Sequence, residues 1–81
     1  MKIEIRNNDF SATRGYEVYD LNNRRFIQGK SAMFPRDFSE YEVLDLLGEN
    51  NYKKFEQGKF TFELTKKQIF AATNDINYYQ P

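Results

Sequence analysis

Polar and apolar positions alternate from the start of the chain: in "KIEIR", Ile3 and Ile5 fall on one side and Lys2, Glu4 and Arg6 on the other. A period of two marks a strand with one buried face. The pattern breaks at Asn7-Asn8-Asp9 and resumes in "GYEVYDLNNRRFIQG", where β-branched and aromatic residues flank Asn22-Asn23. Asn tolerates the positive φ of a two-residue turn, so this run predicts a β-hairpin. With the two Asn at its tip, Leu21 faces Arg24, Asp20 faces Arg25, Tyr19 faces Phe26 and Val18 faces Ile27. Opposite charges and like hydrophobes are matched in this register, with Asp20 and Arg25 expected to pair.

After the loop "KSAMFPRD" the signals become helical. Ser39 and Glu42 have the spacing of a capping box, and Phe38 and Val43 that of a hydrophobic staple. A helix should start near Glu40, bury Val43, Leu44 and Leu47 with Leu46 widening the stripe, and end at Gly48. A second short helix, about Asn51 to Gln57, would show Tyr52 and Phe55 on one face and stop at Gly58. "KFTFELT" returns to period two, with Phe60, Phe62 and Leu64 inward and Thr61 and Glu63 outward. Thr65 with Gln68, and Leu64 with Ile69, repeat the box and staple. They predict a third helix from Lys66, carrying Ile69, Phe70 and Thr73 and ending near Asn74. The tail "DINYYQP" is too short to classify, but Ile76, Tyr78 and Tyr79 give it reason to dock.

The expected architecture is α+β: one small domain over residues 1–81, with an antiparallel sheet of about four strands and short helices packed on one face. Its order along the chain is β-β-β-α-α-β-α. At 81 residues the core must be built without disulfides, since there is no Cys. Only twelve residues are Leu, Ile or Val, so eight Phe and six Tyr carry much of the burial. Twelve acids balance twelve bases. The start "MKIEIRNN" has no apolar stretch, and no run spans a bilayer, so the expected location is cytoplasmic and no membrane partner is expected. Phe, Tyr, Met, Ile, Asn and Lys total 36 residues against 15 for Gly, Ala, Arg and Pro. The first set uses A/T-rich codons, which points to a low-GC bacterial or phage genome.

The absence of His and Cys removes zinc fingers, thiol nucleophiles, Ser-His triads and imidazole acid/base chemistry. "GKS" at Gly29 to Ser31 suggests a phosphate loop, but Arg24 stands where the first Gly of that motif belongs, and Pro35 follows soon after. Arg24, Arg25, Lys30, Lys53, Lys54, Lys59, Lys66 and Lys67 are candidates for phosphate contacts. Net neutrality and the placing of the two Arg on opposite hairpin faces argue against a basic patch. Glu40 and Glu42 suit the positive end of a helix dipole, and no acidic spacing fits a calcium loop. No catalytic residue, cofactor or metal is expected, and the chain does not read as an enzyme.

The hairpin itself is the anomaly, because it is apolar on both faces: Tyr16, Val18 and Ile27 on one, Tyr19, Leu21 and Phe26 on the other. One set must face away from the helices, to be covered by the "INYY" tail, buried in a homodimer, or left for another protein. Tyr, Phe and Arg are favoured at interfaces, which makes Tyr19, Leu21, Arg24 and Phe26 the candidate interaction surface. The expected function is a small non-enzymatic protein-interaction module. A phage or mobile-element accessory protein that binds and inhibits a host protein fits this reading, anti-CRISPR proteins being one such class. The alternative is a nucleic-acid-associated module using basic residues and strand aromatics.

Overall fold

The computed structural model describes residues 1–8 and 15–81; of the break expected at Asn7-Asn8-Asp9, Asn7 still belongs to the first strand, Asn8 lies beyond it, and Asp9 is outside the described residues. Four antiparallel strands form one sheet in the order β3-β2-β1-β4: β1 (Lys2–Asn7), β2 (Tyr16–Asp20), β3 (Arg25–Phe26) and β4 (Thr61–Glu63). Helices α1 (Glu40–Leu47), α2 (Glu49–Glu56) and α3 (Lys66–Thr73) cover one face, and a 3-10 turn (Ile76–Tyr78) closes the chain. This is the α+β architecture and element order that the alternation and capping patterns predict.

Ile3 and Ile5 of β1 lie opposite Asp20 and Val18 of β2, and Ile3 also faces Phe62 of β4. That row is the sheet's inner face. It packs with Ile27, Phe38, Val43, Leu46, Leu47, Phe55, Leu64, Ile69 and Tyr78 into a single buried cluster. Both capping boxes form as read. Ser39 accepts from the Glu42 backbone while Glu42 accepts from that of Ser39, and Thr65 and Gln68 do the same.

Four local expectations are revised. Helix α2 begins at Glu49 rather than Asn51, because Gly48, at φ 80°, both ends α1 and turns the chain straight into the next helix. Phe60, read as inward, precedes β4 and is 53% exposed. Its backbone still holds the sheet register through the Ile5 amide, but its ring stays at the surface, resting edge-on against Phe55, which in turn packs against Tyr16. The hairpin keeps the expected pairing of Tyr19 with Phe26 and Asp20 with Arg25, yet its turn has four residues, Leu21 to Arg24, and the positive φ falls on Arg24. The cause is Asp20, whose carboxylate accepts the Asn22 and Asn23 backbone N–H groups and the Asn23 amide, shaping the turn from within.

The fourth revision concerns the same carboxylate. Asp20 does not form an ion pair with Arg25; it is fully buried, and its remaining partner is the hydroxyl of Tyr78, which donates to it at 2.5 Å. Arg25 instead lies over the Tyr78 ring, with Cζ 5.2 Å from the centroid. The tail is tied a second time by Asp75, which accepts from the Gln28 and Asn77 backbones. The tail therefore docks on the helix side of the hairpin.

These contacts shift two groups in opposite directions. Burial alone would raise Asp20, but the hydrogen bonds from Tyr78, Asn23 and Asn22 outweigh it and hold the carboxyl below its usual value. Burial, with the hydrogen bond to Asp20, pushes Tyr78 up to about 12. A tyrosine in an unfolded chain ionises near pH ~10. The Tyr78 contribution is thus complete below that pH and lost as pH rises towards the folded value. Tyr78→Phe should cost about 2 kcal/mol at neutral pH, measured by urea unfolding. Between about pH 10 and 12 the wild type should lose roughly 2 kcal/mol of stability that the variant does not lose.

Candidate interaction surface

The outer face of the sheet is built by the same alternation that fills the core. Glu4, Tyr19 and Phe26 lie side by side across β1, β2 and β3, and Arg6 lies opposite Glu17 in a neighbouring row. Tyr19 and Phe26 are half-buried and meet edge to face, with centroids 5.0 Å apart and ring planes at 75°. This geometry places the positive ring edge of one against the negative face of the other.

Two guanidinium groups complete the site. Arg6 reaches from β1 to set its Cζ 4.1 Å from the Tyr19 centroid and 6.0 Å from that of Phe26. Arg36 arrives from the loop after β3 and places its Cζ 3.8 Å from the Phe26 centroid. Each cation also has a carboxylate: Arg6 Nε donates to Glu4, and Arg36 Nη2 lies 3.5 Å from Glu17. The aromatic pair is thus flanked by cations and rimmed by acids, an arrangement in which each guanidinium covers apolar surface while its remaining N–H groups stay wet.

The loop that delivers Arg36 is pinned along its length. Gly29 N–H donates to Pro35 O at 2.6 Å, Phe34 N–H to Ser31 Oγ at 3.0 Å and Asp37 N–H to Phe34 O at 3.0 Å. Phe38 then bridges to Tyr16. Gly29 is small for a packing reason, since a Cβ there would come within 3.2 Å of the Phe38 ring. The Gly-Lys-Ser run is therefore a strand exit, with no helix following until Glu40. Met33 and Phe34 stand exposed at the loop's crest, at 80% and 61%.

Of the four residues singled out in the sequence, Tyr19 and Phe26 are brought together. Leu21 is half-buried in the turn, and Arg24 is exposed beside it at φ 55°. Neither is joined to the aromatic pair by a hydrogen bond, ion pair or cation–ring contact. Arg6 and Arg36 were not singled out. Arg6 could have been, because "KIEIR" puts it on the polar face one row from Tyr19; Arg36 sits in a loop whose path no periodicity reveals. The tail does not shield this face, for Tyr78 is on the other side. Among the described residues, no group of three His, Cys, Asp or Glu is placed to hold a metal, and no helix is long and apolar enough to cross a membrane.

In comparisons with protein-family models, curated proteins and solved structures, nothing matches the chain.

The two faces of the hairpin should respond differently to truncation. Ile27→Ala opens the core and should cost about 2–4 kcal/mol. Phe26→Ser, one residue away on the outer face, should cost roughly 1 kcal/mol, as read from urea midpoints at constant m.

Proposed function

We propose that the chain is a small non-enzymatic protein-interaction module that works through the outer face of its sheet. The observation that carries this reading is the Tyr19–Phe26 pair, set opposite the helices and flanked by Arg6 and Arg36. An aromatic centre with arginines and a charged rim is the composition of a binding hot spot. The buried carboxylates Asp20 and Asp75 have structural roles, holding the turn and the tail. Small size, absent His and Cys, and a leaning towards A/T-rich codons support a phage or mobile-element accessory protein that binds and inhibits a host protein.

A nucleic-acid partner is less favoured. Bases stack on open ring faces. Here the cations Arg6 and Arg36 lie over the two rings, and each is already paired with a carboxylate, Glu4 or Glu17, rather than free for a phosphate.

The test is a double variant, Tyr19→Ser with Phe26→Ser, compared with wild type in folding and in capture of partners from a bacterial lysate. We expect a folded variant that no longer retains what the wild type retains. Loss of folding would assign the pair to the core. Salt-sensitive binding of a labelled oligonucleotide would move the assignment to nucleic acid.

A further inference from the structure

Resting on that reading of the outer face, we infer that the partner presents an acidic surface, read by Arg24 and Lys2 at the hairpin end. The first ground is local charge. Glu4 and Glu17 are each met by an arginine of the same face, and Glu63, although across from Lys2 in the register, lies 3.2 Å from the Met1 amino group. No acid pairs with Lys2 or Arg24 among the described residues. The Lys2 backbone is tied to the turn that carries Arg24, because the Lys2 N–H donates to Asn22 Oδ1 and the Leu21 N–H donates to Lys2 O. The net charge of zero for the whole chain therefore conceals two exposed cations at the hairpin end that no acid among the described residues pairs with.

The second ground is the backbone of Arg24. At φ 55° it sits in the left-handed region, which costs a residue with a Cβ and suits Gly or Asn. The turn nevertheless carries a long cation there, exposed and with no acid partner among the described residues. Residues kept in disfavoured conformations concentrate where function requires them. A guanidinium held out in this way can meet a carboxylate with two parallel N–H donors. A protein surface fits better than a nucleic acid, because the rings on which bases would stack are already covered by Arg6 and Arg36.

A random-peptide display library, selected on the folded full chain, tests the inference. Each enriched peptide is measured against wild type, Phe26→Ser and Arg24→Asn, the last chosen because Asn accepts the left-handed turn position. We expect peptides rich in Asp and Glu whose binding weakens at least about tenfold on Phe26→Ser, about fivefold on Arg24→Asn, and further as salt rises. Peptides that need Phe26 but show no acidic bias, or that ignore Arg24→Asn, overturn the acidic partner and leave the face as an interface. Peptides indifferent to Phe26, or no enrichment, overturn both. Tighter binding of a single-stranded oligonucleotide than of any peptide, or a dimer in sedimentation that Phe26→Ser dissociates, also overturns it by naming a different occupant.

Discussion

One buried carboxylate, that of Asp20, holds the hairpin and the C-terminal turn in a single arrangement. Removing a carboxylate from water costs several kcal/mol unless its oxygens are met by donors. Asp20 is met by four: the backbone N–H groups of Asn22 and Asn23, the Asn23 side-chain amide and the Tyr78 hydroxyl. Three come from the turn and one from a residue 58 positions away. Neither the turn nor the docked tail is complete without the other. Asp75 adds the reciprocal tie, reaching from the tail to the backbone of Gln28 just beyond β3.

This constraint decides what remains outside. Because Tyr78 is drawn to Asp20 on the inner side, the tail is not available to cover Tyr19 and Phe26, and the hairpin's second apolar face is left to the arginines. Arginine stems and planes shield the rings from bulk water, while both side chains keep substantial contact with solvent. The sheet's edges point the same way. β3 has two residues and β4 three, too short to template strand addition from another chain, so a partner is better served by the face than by an edge.

Local signals were the legible ones. Ser39 with Glu42 and Thr65 with Gln68 name helix starts because the cap bonds are made within four residues. Ile3, Ile5, Val18 and Ile27 name the inner face because strand alternation is also local. What the sequence could not supply depends on distant partners. Asp20 looks like a partner for Arg25 until the tail is seen to bring Tyr78 to it, and its bonds to Asn22 and Asn23 shape a longer turn in which Arg24, not Asn, is the left-handed residue. The candidate surface divides along the same line: Tyr19 and Phe26 follow from register, whereas Arg36 depends on the path of a loop. Charge was the most misleading summary, since a zero total hides both the paired cations around the rings and the unpaired ones at the turn.

The measurement that tests this account most directly is the titration of the Asp20 carboxyl, followed by its 13C shift in the folded protein. A buried carboxylate supplied with four donors must ionise at lower pH than an exposed aspartate, despite the opposing effect of burial. Its contribution to stability is then present above the unfolded value and lost as pH falls through the folded one. A midpoint below that of an exposed aspartate, rising when Tyr78 is replaced by Phe, is the predicted result. A midpoint at or above the ordinary aspartate value, unmoved by that replacement, would contradict the role given to Asp20.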